Sequence, residues 1–264
     1  MSWLRIRAIA RRNAYVLKRS PHRFYDITIW PLVDTLLFGS IGVFYATGEP
    51  SAGKASAGYL LSGIVLWHVI YQAQIGLATG FLEETWSRNL LSLMVTPLRE
   101  VEYVAGVALF GLVKLAMGVG AVALTALGFY AFDVTTLGFG LIPIAAVLLL
   151  VGWAVALFVV GLVLRFGTGA EALAWGILFL VMPLSGVFYP VDALPWLLRP
   201  LALSLPSTHA FAAGRELVDP GGAFPWGELG LAAASAVVLA ALALWFLGAM
   251  LRLFRQRGYV TRYS

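Results

Sequence analysis

The sequence predicts an all-α membrane protein with six transmembrane helices, and three observations carry that prediction. The chain is 61% hydrophobic and only 12% charged, where soluble domains carry about 25% charged residues. So few charges cannot cover a water-soluble body of 28.5 kDa, so much of the surface must meet lipid. Six apolar segments follow one another, near residues 24–46, 57–82, 101–132, 138–164, 171–189 and 228–252. Each approaches or exceeds the roughly 20 residues that cross a bilayer as a helix. Basic residues also collect at alternate connections, the pattern that fixes membrane orientation.

The leader comes first. Residues 3–20, WLRIRAIARRNAYVLKRS, place Trp3, Ile6, Ala10 and Leu17 at helical spacing. Arg5, Arg12 and Arg19 stand seven apart, as do Arg11 and Lys18, so the charge gathers on one face. A basic amphipathic helix beside a span lies in the interface plane. Arginines and Lys18 interrupt every apolar run before residue 24, so no cleavable signal peptide is expected.

The connections set the topology. With both termini inside, the inner side holds Arg5, Arg7, Arg11, Arg12, Lys18, Arg19, Arg23, Arg88, Arg99, Arg165, Arg252, Arg255, Arg257 and Arg262. The outer side holds only Lys54, Arg199 and Arg215. That asymmetry supports an even number of spans and a cytoplasmic N- and C-terminus. Expected boundaries within a single domain over 1–264 are the leader at 1–23, the bundle at 24–252 and a tail at 253–264.

Two connections are unusual. Between the second and third spans lies FLEETWSRNLLSLMVTPLREVE, a charged amphipathic helical stretch on the inner side that ends at Thr96-Pro97. Between the fifth and sixth lies an outer segment broken by Pro190, Pro195, Pro200, Pro206 and Pro220. Proline interrupts helices, so this segment should form half-helices lying in or dipping into the outer leaflet. Small residues recur at Gly76 and Gly80 and at Ala236, Ala240 and Gly248, a spacing that lets helices approach closely.

Composition and motifs exclude several functions. The chain has no cysteine, and His22, His68 and His209 are far apart, so no metal site is expected. A net charge of +5 and a pI of 9.6 would suggest nucleic acid in a soluble chain. Here the basic residues flank apolar helices and point to anionic lipid instead. Residues 48–55, GEPSAGKA, resemble a phosphate-binding loop, but Ala55 lacks the hydroxyl that holds magnesium and no strand precedes it. The segment falls in an expected outer loop, so the chain should hold no ATPase site of its own.

Ionisable groups inside spans are costly and are usually paired or functional. Asp34 and Lys114 are such groups and lie at similar depth, which suggests an ion pair within or between subunits, structural or serving a relay. Aromatic residues at span ends fit the interfacial belt, while those at mid-span suit packing or an amphipathic substrate path. Glu83 and Glu84, adjacent in the charged inner segment, read as a contact for a soluble partner.

The segments EETWSRNLLSLMVTPL (83–98) and SGVFYPVDALPWLLRPLALSLPSTHAFAAGREL (185–217) resemble the inner loop and the outer connection of ABC-2 type exporter permeases. The six-span plan with a basic leader matches too, so the resemblance covers essentially the whole chain. The chain departs from the family pattern at Arg88-Asn89-Leu90-Leu91 and at Leu205-Pro206-Ser207. The resemblance implies a homodimeric pore in the cytoplasmic (inner) membrane, with two copies of a separate ABC ATPase docked beneath. ATP and magnesium would belong to that ATPase, and this chain would bind no cofactor and act as no enzyme.

By the same analogy the leader, with Arg5, Arg11, Arg12, Lys18 and Arg19, is an interface helix. Residues 83–97 include a coupling helix, with Glu83, Glu84, Arg88, Thr96 and Pro97. The half-helices at 190–214 form an outer gate near Phe188, Tyr189, Pro190 and Pro195. The implied cargo is an amphipathic drug, lipid or lipid-linked glycan moving outward. Two alternatives stand beside this reading. One is a proton-coupled secondary transporter using Asp34 and Lys114. The other is an intramembrane enzyme acting on lipid around His209, Arg215 and Glu216.

Overall fold

The computed structural model describes residues 2–48, 50–86, 96–170, 172–217 and 224–257. Among these the regular structure is helical throughout. The helices are α1 (Trp3–Arg19), α2 (Pro21–Gly48), α3 (Pro50–Trp86), α4 (Glu100–Tyr130), α5 (Leu141–Phe166), α6 (Ala172–Leu184), α7 (Arg199–Leu203), α8 (Pro206–Glu216) and α9 (Trp226–Arg257). Single 3-10 turns stand at Val134–Leu137, Thr168–Ala170 and Val191–Ala193.

Among the described residues, five helices are long and apolar enough to cross a membrane: α2, α3, α4, α5 and α9. The expected fifth span differs. Of residues 171–189, only Ala172–Leu184 form a helix, 13 residues long, which rises roughly 20 Å against a hydrocarbon core of about 30 Å. The sequence explains where it stops. Pro183 removes a backbone donor in the last turn. Gly186 then takes a φ of +66°, a conformation open to glycine at little cost.

The expected outer loop around residue 54 is also corrected. Residues 50–55 form the first turns of α3. A phosphate-binding loop needs a strand and a glycine-rich loop before its helix, and these residues are helical instead.

Helix α3 is the axis of the bundle. Every residue from Leu61 to Ile70 is buried, and α2, α4 and α5 all pack on it. Helices α2 and α3 run antiparallel, because contacts pair Ile27 with Gln72 and Asp34 with His68. The leader α1 lies on α4, and α9 lies on α5 with α8 beneath it. Two large apolar clusters, with a smaller third around Leu82 and Val159, fill the interior of the described residues. One gathers Ile64, Ile70, Val122, Leu148, Val187 and Phe211 toward α8. The other gathers Ile9, Leu77, Val107, Leu157 and Leu247 toward α1.

Close approach is built with small residues. A Cβ on Gly152 would meet α3 at 2.6 Å, and one on Gly161 would meet Phe246 of α9 at 2.7 Å. Gly80 faces Val107 in the same way, and Gly76 lies beside Gly111, so the GxxxG of α3 seats α4. In the last span Ala236 is buried, whereas the space beside Gly248 is open.

The outward faces of α2, α4 and α9 are apolar and aromatic. They expose Trp30, Phe44, Leu124, Phe129, Leu242 and Trp245 among others. Exposed apolar surface on this scale marks lipid or a protein partner.

Candidate functional site

The polar side chains of this bundle gather at three levels: beneath α1, midway along α2, and around α8. At the first level the leader is fastened to the spans by charge. Arg12 Nη1 lies 2.7 Å from Glu84 Oε1, and Arg12 Nη2 donates to Glu84 Oε2 at 2.9 Å. The Glu84 side chain is only 4% exposed. The hydrogen bond to Glu84 holds the Arg12 guanidinium above its ordinary pKa, against the opposing effect of burial.

A second clamp lies alongside. Glu102 accepts from the Ser2 amide at 2.6 Å and from Arg5 at 3.2 Å, and it also accepts from the Arg99 amide. Glu102 therefore caps the start of α4 and binds the start of α1 at once. Between the clamps, Ile6 and Ile9 press on α4, where Gly106 leaves no room for a Cβ. The close spacing follows from that glycine, because Ile9 Cβ would stand 2.6 Å away.

The single basic face read from the heptad spacing thus divides in two. Arg5 and Arg12 turn inward to carboxylates. Arg11 stays exposed and packs over its own Tyr15, while Lys18 and Arg19 are exposed. Glu83 and Glu84, expected to face a soluble partner, are both engaged by arginines of this chain. Glu84 holds Arg12, and Glu83 holds Arg23 of α2 at 2.6 Å. Thr96 and Pro97 are exposed in the bend before α4, whereas Arg88 and the helix expected around it lie outside the described residues.

Lys114 and Asp34 are not joined within one chain. Lys114 lies over the Phe110 ring, 5.6 Å from its centre, and its stem passes Gly76. It lines a narrow cleft that also contains Asn13, Arg23, Gly80 and Glu83, so it belongs to the α1 level. Asp34 instead faces His68 of α3, with Oδ2 3.6 Å from Nε2. His68 is completely buried, and its Nδ1 lies 2.9 Å from the Ile64 carbonyl. Sequence reasoning passed over His68 because a lone histidine in an apolar run reads as packing.

The third level surrounds the proline-broken segment. Phe188 stacks on Phe38 of α2 with ring centres 4.0 Å apart. Ser185 and Ser207 share a buried hydrogen bond of 2.6 Å, and Thr208 donates to the Ala202 carbonyl. Tyr189 is half-buried, and Pro190 leads into the turn Val191–Ala193. Pro195 is exposed, on the approach to α7.

His209, Arg215 and Glu216 do not converge. His209 contacts Glu228 at 2.7 Å and the Leu203 carbonyl at 3.0 Å. Arg215 stands over the Tyr59 ring at 4.3 Å. No bond among the described residues joins the three.

Comparison with known proteins gives a family for the chain. The family model described as ABC-2 type transporter matches residues 5–218. That stretch runs from the leader through α2–α6 and past α8, and ends before α9. No curated protein matches the chain.

Proposed function

The chain belongs to the ABC-2 type transporter family, and from that premise we propose that it is the permease subunit of an ATP-driven exporter. It carries an amphipathic drug, lipid or lipid-linked glycan outward across the cytoplasmic membrane. Two copies form the pore, and two ABC ATPase subunits dock on the α1 face and supply the ATP chemistry. The sixth crossing is a broken one, made by α6, the turn at Gly186 and the short helices after it. With it, both termini lie on the cytoplasmic side, where the basic residues collect.

The observation that carries this reading is the double clamp of α1. A helix resting on a membrane surface needs no ion pair to a span. Here Arg12 reaches a carboxylate that is 4% exposed, and the Ser2 amide and Arg5 reach Glu102. A push on α1 from below is therefore delivered to α3 and α4 as one rigid body. That suits a switch between two arrangements driven by a soluble motor. Arg11, Lys18 and Arg19, which face outward, are left to meet that motor. Thr96, Pro97 and the segment before them complete the docking face. Phe188, Tyr189, Pro190 and Pro195 serve the outer gate, and the Phe38–Phe188 stack is the contact that would hold it shut.

Co-purification tests the assembly. The tagged permease, purified from its native host, should bring down an ABC ATPase subunit in equal amounts. Reversing Arg11, Lys18 and Arg19 to glutamate should release the ATPase while the permease stays folded. A folded permease that never captures an ATPase would overturn the proposal.

A further inference from the structure

We propose that Asp34 and His68 form the recognition site for a positively charged amine on the cargo. The inference rests on the permease reading and narrows its cargo to cationic amphiphiles.

Hydrogen-bond accounting leads there. His68 Nδ1 lies 2.9 Å from the Ile64 carbonyl oxygen, which can only accept. The ring proton therefore sits on Nδ1. In the neutral ring Nε2 is then a bare acceptor, buried and without a hydrogen-bond partner among the described residues. Asp34 Oδ2 stands 3.6 Å away and, as a carboxylate, is an acceptor too. Two acceptors face each other at a separation too long for a direct bond, so the pair lacks a donor that a bound group can supply. A buried group with no partner is expensive, and a carboxylate at the middle of a span more so. An ammonium group satisfies both, because it donates several hydrogen bonds and carries the opposite charge.

The site is also placed for cargo. Asp34 lies midway along the span Arg23–Phe44, and its side chain is 34% exposed. It can therefore be reached from the face of α2 that no other described helix covers. Aromatic residues line the approach. Trp30 is one turn away on α2 and exposed, and Tyr71 stands beside His68 with ring centres 5.8 Å apart. Rings of this kind favour cations. One turn in the other direction, Phe38 stacks on Phe188. The acceptor pair thus lies about 6 Å below the proposed gate, where a cargo would wait before release. The second cation of the spans, Lys114, is held at the α1 level and does not compete for the pair.

Equilibrium dialysis of the purified permease against labelled 4-phenylbutylamine tests this, with 4-phenylbutanol as the neutral match. The wild-type protein should bind the amine saturably, and the alcohol should displace it at least tenfold less well. Asp34→Asn should weaken amine binding at least tenfold and leave the alcohol unchanged. His68→Phe, which keeps a ring but loses Nε2, should weaken it several-fold. Equal competition by the alcohol overturns the proposal on wild-type protein alone, whatever the variants do. Amine binding within twofold of wild type in a folded Asp34→Asn protein overturns it as well. ATP-driven transport by the assembled complex is scored separately. Transport that persists without amine preference sinks this site and leaves the permease reading standing, and amine binding without ATP-driven transport does the reverse.

Discussion

At the scale of single residues, the bundle is organised by the repair of one backbone defect. Pro31 stands inside α2 and has no N–H to give to the carbonyl four residues earlier. That carbonyl belongs to Ile27, and Gln72 of α3 donates to it at 3.1 Å in a buried position. Gly118 of α4 makes room, because a Cβ there would stand 2.2 Å from Gln72 Nε2. One hydrogen bond thus ties α2 to α3, with α4 packed against it. Gln72→Leu should lower stability by about 1–3 kcal/mol, the usual cost of a buried group left unpaired. Pro31→Ala restores an N–H to α2, so the double variant Pro31→Ala/Gln72→Leu should recover most of the loss. Thermal unfolding in detergent reads both, and additive losses would show that the Ile27 carbonyl is not the shared element.

At the scale of elements, the leader is held by charge and by shape, and the two can be separated. Arg12→Glu and Glu84→Arg should each loosen α1 by about 1.5–3 kcal/mol, as expected for hydrogen bonds to charged groups. The charge-swapped double variant should regain much of it. Gly106→Val should lift α1 by overpacking, at about 1–3 kcal/mol. Limited trypsin digestion measures all four, since α1 is rich in arginine and a loosened helix is cut faster.

These contacts also show what was legible in the sequence. The leader and five of the expected spans are written in hydropathy and arginine spacing, whereas the helix expected over 171–189 stops at Leu184. The partners of the charges are not written there. Arg12 and Glu84 lie 72 positions apart, and no local pattern announces that they meet. Glu84 looked available to a soluble partner because its own helix is charged, yet tertiary packing buries it. Asp34 and Lys114 were paired by depth alone, whereas rotation about the helix axes gives one to His68 and the other to the cleft beside Glu83. The glycine-rich segment near residue 54 read as a loop, but it forms the first turns of a 37-residue helix.

At the scale of the whole molecule, the division of labour follows the burial. Helices α3 and α5 form the inner layer, whereas α2, α4 and α9 turn large apolar faces outward. A homodimer would cover part of that surface, and native mass measurement in detergent should give twice the 28.5 kDa of one chain. On the proposed function, the same plan would join a motor-facing end, clamped through α1, to a gate-facing end at the Phe38–Phe188 stack. The measurement that tests this most directly is cargo export from sealed proteoliposomes holding the permease and its ATPase. Transport is predicted to require ATP and both subunits, to fall at least tenfold in Arg12→Glu and in Glu84→Arg, and to return in the charge-swapped double variant. Transport driven by a proton gradient from permease-only vesicles, indifferent to ATP and to the clamp, would contradict it.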